Sequence, residues 1–137
     1  FPMSKEKLLL VGAGGFGRMA AEQAMLQYDC AFVDDGQPAG CVICGIPVVG
    51  GIADLPELHK DYDSLVVGIG NNNFRAQIYE KAAAMDYTFH NIIAPSAYVS
   101  PFAEIGKGCV ILQNACIQNG AVVGNGRPVE CRGRSPL

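Results

Sequence analysis

The sequence predicts an α/β protein in which a small Rossmann-like parallel sheet with helices on both faces is followed by the first coils of a β-helix. Two patterns lead to this fold class. Up to about residue 93, short apolar runs alternate with segments of helix-forming residues, which is typical of a parallel sheet covered on both sides. From Ile93 onwards an aliphatic residue recurs at every sixth position, which is typical of a hexapeptide β-helix.

The apolar runs and glycine turns predict the elements of the first unit in order. Strands are predicted at residues 8–11, 30–33 and 47–49, in SLVVGIG (64–70) and at 87–93, where we expect the sheet to end. Helices are predicted at residues 15–26, 52–59 and 74–85, and Asn72 or Asn73 is expected to cap the last of them. Because crossovers between parallel strands are right-handed, these elements form a doubly wound sheet.

The hexads contain two registers. The aliphatic register consists of Ile93, Val99, Ile105, Ile111, Ile117 and Val123, and the small register of Ala97, Ala103, Cys109, Ala115 and Ala121. Arg127 and Pro128 interrupt both registers, and a buried unpaired arginine would be costly. We therefore expect a Rossmann-like domain at residues 4–93 and coils at 94–126. Residues 127–137 are expected to be a non-native or disordered tail, and residues 1–3 a remnant of the expression vector.

Composition limits the classes of function. Half of the residues are hydrophobic, which is enough for a sizeable core, while a net charge of −3 without a basic stripe argues against nucleic acid as a partner. No apolar segment is long enough to cross a bilayer and no export signal is recognisable, so we expect a cytoplasmic protein with reduced cysteines and no membrane partner. Cys41 and Cys44 lack a second ligand pair at zinc spacing, so no metal is expected.

The segment VGAGGFG has the spacing G-x-G-x-x-G at Gly12, Gly14 and Gly17, directly after a strand and at the start of a helix. Such a turn lets a phosphate approach the backbone at a helix N-terminus. Asp34 lies twenty residues beyond Gly14, at the end of the second strand, where it can accept hydrogen bonds from a ribose or a base. A dinucleotide needs two such halves, so one half favours a single nucleotide, with or without an attached sugar.

A second glycine turn, GIGNNNFR, follows the fourth strand and is expected to face the same crevice. Asn71 and Asn72 could form hydrogen bonds there, and Arg75 could reach a phosphate. The alternatives are a helix cap for Asn72 and a solvated helix position for Arg75. Neither His59 nor His90 has a Ser, Cys or carboxylate arranged nearby in the sequence for nucleophilic catalysis.

Several motifs together resemble the sialic acid and amino-sugar O/N-acetyltransferases of the left-handed β-helix superfamily. They are KLLLVGAGGFGR, FVDD, GIPVVGG, VVGIGNNNFRAQIYEK and IIAPSAYVSPFAEIGKGCVI, and the resemblance covers residues 7–126. It implies that the Rossmann-like domain binds a nucleotide sugar and that the β-helix trimerises and binds acetyl-CoA between subunits. The catalytic histidine of the family would fall after Gly126, where this chain has none.

Carried over by position, the resemblance assigns substrate contacts to two glycine turns and an aspartate pair. These are Gly12, Gly14, Gly15, Phe16, Gly17, Asp34, Asp35, Gly70, Asn71, Asn72 and Arg75. Phe16 stands where many members of the family have histidine, and Ala94-Pro95 stands where many have His-Pro. These departures leave the identity of the sugar open.

The function expected from these assignments is the substrate-binding part of an acetyl-CoA-dependent acetyltransferase acting on a nucleotide sugar, with a UDP-sugar favoured. The full-length protein would be a homotrimer. This chain alone would be inactive, and it is expected to hold no cofactor. The alternatives are a nucleotide- or NAD-binding module without transferase activity and an interaction scaffold whose glycine loop only packs helix against sheet.

Overall fold

A computed structural model of the chain describes residues 5–130. Its first unit is a six-stranded sheet in which only the edge strand β3 runs antiparallel to its neighbour. In order across the sheet the strands are β3 (Val42–Ile43), β4 (Ile46–Gly50), β2 (Tyr28–Val33), β1 (Glu6–Val11), β5 (Ser64–Val67) and β6 (Thr88–Phe89). The strand order therefore reverses beside β1, which has β2 on one side and β5 on the other.

Helices cover both faces of this sheet, as the uninterrupted apolar strands predict. Leu8 and Leu10 of β1 pack against helix α1 (Gly15–Ala24), which buries Ala20 and Ala24. Leu9 and Val11 point to the other face, which a 3₁₀ turn (Ile52–Asp54), α2 (Leu55–Leu58) and α3 (Asn72–Ala84) cover. Alternation along an extended strand places successive side chains on opposite faces, so each β1 leucine is fully buried.

Two local features differ from the prediction. Residues 87–93 do not form one strand, because Thr88–Phe89 completes the sheet and Ile92–Ile93 begins the coils. The C-x-x-C segment lies in a β3–β4 hairpin that the sequence analysis did not predict. Its turn residues Cys44 and Gly45 have φ of 54° and 76°, the left-handed conformation that two-residue hairpin turns require.

The second unit consists of short parallel strands stacked in three columns, the arrangement that the six-residue period predicts. The columns are β7 (Ile92–Ile93), β10 (Val110–Ile111) and β13 (Pro128–Val129); β8 (Tyr98–Val99) and β11 (Cys116–Ile117); and β9 (Glu104–Ile105) and β12 (Val122–Val123). Ile92 pairs with Val110 and Val110 with Pro128, so three hexads make one coil. Both predicted registers contribute to the interior, where Ile111, Ala115 and Ile117 are buried.

The coil continues past Gly126, so the prediction that Arg127 stops it is wrong. Val129 takes the next aliphatic position after Val123 and packs in the coil interior. The Val110 amide donates to the Arg127 carbonyl oxygen at 3.1 Å, whereas the Arg127 side chain is exposed and carries no burial penalty. A foreign origin of residues 127–137 stays a prediction; residues 131–137 lie outside the described part, as do residues 1–3.

The two units are in contact at two places. Ile92 and Val110 are buried in the same apolar cluster as α1 and Leu8. On the other face of the sheet, Tyr79 of α3 reaches the coil; its ring stacks on Phe89 of the same unit at a centroid distance of 4.1 Å. Its hydroxyl donates to the Lys107 carbonyl oxygen at 3.3 Å. Between residues 5 and 130, no helix has the length and apolar character needed to span a membrane.

Candidate functional site

The carboxyl ends of β1 and β5 open into a cleft of about 450 Å³, which we call the switch-point cleft. Open α/β sheets bind ligands where the strand order reverses, and this cleft lies at that position. Eight of the predicted site residues line it: Gly12, Gly14, Gly15, Phe16, Gly17, Asp34, Asp35 and Gly70. The prediction that the two glycine turns face one crevice is correct for Gly70.

The glycines of the first turn have two different roles. Gly12 has a φ of +108°, and a Cβ placed there would lie 2.7 Å from the Gly68 carbonyl oxygen. A Cβ at Gly17 would overlap the Gly12 carbonyl oxygen, so both positions require the absence of a side chain. At Gly14 and Gly15 an added Cβ meets nothing within 4 Å. These two glycines leave space that a ligand can enter.

The N-terminus of α1 points to this space without a side-chain cap. Gly14 is the N-cap residue, no side chain accepts from the first-turn N–H groups, and the first turn contains no acidic residue. Unpaired N–H groups and the positive end of the helix dipole favour a bound anion. The N-terminus of α1 is therefore a candidate anion site in the switch-point cleft.

Asp34 and Asp35 connect the loops that surround the cleft. The Asp34 carboxylate accepts hydrogen bonds from the Ala13 and Gly36 amides, both at 2.7 Å. Asp35 accepts from the Ile52 amide at 2.8 Å. A carboxylate can accept about four hydrogen bonds, so both side chains retain acceptor capacity towards the cleft. The predicted ligand contact by Asp34 is thus compatible with a structural role that the sequence analysis missed.

Asn71, Asn72 and Arg75 do not line the switch-point cleft. The Asn71 side chain accepts from the Phe74 amide at 2.9 Å and caps α3, so the prediction of Asn72 or Asn73 as the cap is wrong. Asn72 and Arg75 line a second cleft between α3 and the coil, together with Arg127. The structure therefore does not bring these three side chains to the glycine loop.

Arg75 is only 4% exposed and holds the second glycine turn in place. Its guanidinium donates to the carbonyl oxygens of Ile69 at 3.2 Å and Gly70 at 3.4 Å, and to Asn72 Oδ1 at 2.8 Å. The pKa of Arg75 is lowered from its ordinary value, mainly by desolvation and to a smaller extent by the nearby positive charge of Arg127. These contacts explain why the side chain turns away from the cleft.

Three apolar residues of the cleft, Ile52, Ile69 and Phe74, were missed by the sequence analysis. Ile52 follows β4 and reaches the cleft because β4 lies beside β2 in the sheet, and the sequence analysis did not predict this strand order. Ile69 lies inside the second glycine turn, and Phe74 lies in the first turn of α3. Phe74 lines the cleft and is 42% exposed, so its ring is accessible to a ligand there.

Both histidines have structural contacts away from the cleft. His59 Nδ1 lies 3.0 Å from the Tyr62 carbonyl oxygen, and its ring is 4.2 Å from that of Tyr87. His90 Nε2 lies 2.8 Å from Glu6 Oε2.

Glu6 also accepts a hydrogen bond from Ser64. The bonds from Ser64 and then His90 lower the pKa of Glu6. Ser64 donates to Glu6 and is fully buried, so its hydroxyl is not accessible to a substrate as a nucleophile.

Cys41 and Cys44 are both free thiols in the structure. No group of three His, Cys, Asp or Glu side chains between residues 5 and 130 is arranged to hold a metal ion.

The family model of the PglD N-terminal domain matches residues 7–82, which is more than half of the chain. The chain belongs to this family. It is similar to the acetyltransferase domain of PglB from Neisseria gonorrhoeae FA1090 in complex with acetyl coenzyme A, at 38% identity and a TM-score of 0.84, with 93% of this chain and 62% of that chain covered. A second structure of that domain has 36% identity and a TM-score of 0.82, with 92% and 62% covered.

A mutant of perosamine N-acetyltransferase from Caulobacter crescentus, in complex with CoA and GDP-perosamine, is also similar. The identity is 29% and the TM-score 0.76, and the match covers 87% of this chain and 63% of that chain. The resemblance to acetyltransferases of nucleotide sugars is thereby confirmed. The chain spans 62% of the length of the PglB acetyltransferase-domain chains.

Proposed function

We propose that this chain is the nucleotide-sugar-binding part of an acetyl-CoA-dependent acetyltransferase whose acceptor is an amino group of the sugar. The observation that carries this proposal is the uncapped N-terminus of α1 at the switch point, where Gly14 and Gly15 leave room for a diphosphate. Asp34, at the end of β2, lies where a ribose would bind beside that diphosphate. The CoA-bound and GDP-perosamine-bound relatives support the same substrate class.

In the proposed reaction the sugar amine attacks the thioester carbonyl carbon of acetyl-CoA. The new C–N bond forms as the C–S bond breaks, and a histidine base takes the amine proton and returns it to the thiolate of CoA. Backbone N–H groups would stabilise the oxyanion of the tetrahedral intermediate. His59 and His90 are engaged by Tyr62 and Glu6, so we propose that this chain binds the nucleotide sugar but does not transfer the acetyl group.

We further propose that the full-length protein is a homotrimer that binds its acetyl donor between neighbouring coils. Large apolar side chains on the outer surface of the coils support this assembly. Tyr98 is 56% exposed, Phe102 72% and Val122 71%. Exposed apolar positions on a repeat structure are typical of a surface that another copy covers.

The proposal is tested by titrating the chain with UDP-, GDP- and CMP-sugars in a calorimeter, and we expect binding with a UDP-sugar preferred. Gly14→Val should abolish this binding at a cost of only about 1 kcal/mol in stability, because the added side chain enters open space and loses only the N-cap preference for glycine. Gly124→Ala, which adds a methyl group on the coil at ordinary contact distance, serves as the control.

Three outcomes would contradict the proposal. The first is no heat with any nucleotide sugar. The second is tight NAD(H) binding without a response to nucleotide sugars, which would favour the alternative of a binding module without transferase activity. The third is acetyl transfer by this chain alone, which would overturn its assignment as a binding part.

A further inference from the structure

The two ends of the switch-point cleft differ in chemistry. At the end bounded by β2 and β4, the carboxylates of Asp34 and Asp35 offer hydrogen-bond acceptors. At the end bounded by β5 and α3, the side chains of Ile69 and Phe74 form an apolar wall. A ligand that spans the cleft therefore meets polar groups at one end and a hydrocarbon surface at the other.

The apolar wall is fixed by hydrogen bonds behind it. The Phe74 amide is held by the Asn71 cap at 2.9 Å, which sets the start of α3. Buried Arg75 binds the carbonyl oxygens of Ile69 and Gly70, which sets the turn that precedes α3. A side chain on such a fixed segment loses little conformational freedom when a ligand packs on it. Phe74 itself is 42% exposed.

The position of the anion site determines which part of a nucleotide sugar reaches this wall. An acidic residue at the end of the second strand is the usual partner of the ribose, and the diphosphate binds at the helix N-terminus. With the ribose at Asp34 and the diphosphate at Gly14 and Gly15, the group beyond the diphosphate extends towards β5 and α3. That group is the hexose.

On the basis of the proposed function, we propose that Phe74 is a specificity-determining residue that packs against the hexose of the bound nucleotide sugar. Together with Ile69 it favours a sugar that presents C–H groups or a methyl group to the wall. A hydroxyl group turned towards the wall would lose its hydrogen bonds to water without gaining a protein partner. The base lies at the opposite end, near Ile52.

The test compares UDP with UDP-N-acetylglucosamine in calorimetric titrations of the wild-type chain and three variants. We expect Phe74→Ala to lower the affinity for UDP-N-acetylglucosamine by about fivefold and to leave the affinity for UDP unchanged. Ile52→Ala should lower the affinities for both ligands by a similar factor, because both ligands contain the nucleoside. Leu26→Ala removes an exposed apolar side chain that does not line the cleft and should change neither affinity.

The outcomes separate this proposal from the proposed function. If Phe74→Ala weakens UDP as much as UDP-N-acetylglucosamine, Phe74 contacts the nucleoside or only supports the fold, and the proposal is overturned. It is also overturned if Phe74→Ala changes neither affinity while the wild-type chain binds both ligands. If the wild-type chain binds no nucleotide sugar at all, the proposed function fails, and the assignment of Phe74 fails with it.

Discussion

At Gly17 an added methyl group would overlap the Gly12 carbonyl oxygen, because α1 starts in direct contact with the end of β1. Neither backbone segment can move without shifting a buried element. We expect Gly17→Ala to lower the free energy of unfolding by about 3 kcal/mol or more. The measurement is urea unfolding followed by circular dichroism.

Gly15→Ala is the matched control, since its Cβ would meet nothing within 4 Å. Equal stability of the Gly17→Ala variant and the wild-type chain would contradict the close packing of α1 on β1.

Glu6 should make stability depend on pH in the acidic range. Hydrogen bonds from Ser64 and then His90 lower its pKa from the ordinary 4.5, so the folded state binds the proton more weakly than the unfolded state. The resulting stabilisation is complete above the unfolded pKa and is lost as the pH falls through the folded pKa. We expect the urea midpoint of Glu6→Gln to fall less than that of the wild-type chain between about pH 6 and pH 3.

Glu57→Gln is the control for this pH dependence, because Glu57 pairs with Lys60 in a largely exposed position. If Glu6→Gln and the wild-type chain lose stability in parallel over this range, the Glu6 cluster does not contribute to acid sensitivity.

At the scale of the elements, α3 depends on a cap that is one residue earlier than the sequence suggested. Asn71 has an extended backbone and accepts from the Phe74 amide, whereas Asn72 and Asn73 are already helical. We expect Asn71→Ala to lower the free energy of unfolding by about 1 kcal/mol. Asn73→Ala, which removes an exposed amide within the helix, should have a much smaller effect. Thermal unfolding of the two variants distinguishes them, and equal losses would contradict the cap assignment.

The elements that were predicted correctly have either a repeated sequence pattern or an apolar run bounded by glycines. β1, its glycine turn and α1 follow from an apolar run ended by glycines, and the coils follow from the six-residue period. The β3 strand has only two residues, Val42 and Ile43, which is too short for a periodic signal. The β13 strand was missed because Arg127 was assumed to point inwards, although Val129 continues the aliphatic register.

At the scale of the whole molecule, side-chain direction and docking could not be predicted from the sequence. Arg75 follows Phe74 directly, yet it turns to the carbonyl oxygens behind the loop while Phe74 lines the cleft. The direction in which each of these side chains points depends on how α3 packs against the sheet. Likewise, a valine at an outer coil position does not reveal whether it docks on α1 or faces solvent, because Val110 and Val122 carry the same side chain.

Val110 and Val122 show this difference and provide the test of how the two units are joined. Both occupy the outer position of a coil strand, but Val110 is 1% exposed and Val122 is 71% exposed. Val110 shares its apolar cluster with Leu8 and Ala20 of the first unit. We expect Val110→Ala to lower the free energy of unfolding by about 2 kcal/mol. Val122→Ala should leave it nearly unchanged, since an exposed valine loses little on truncation.

The measurement is urea unfolding followed by circular dichroism, where the β-helix and the Rossmann-like unit should unfold together in one transition. Docking through Val110 couples the two units, so the whole transition of Val110→Ala should move to lower urea concentration. Two separate transitions, of which only one responds to Val110→Ala, would mean that the coil and the sheet fold independently and that the α1 contact does not join them.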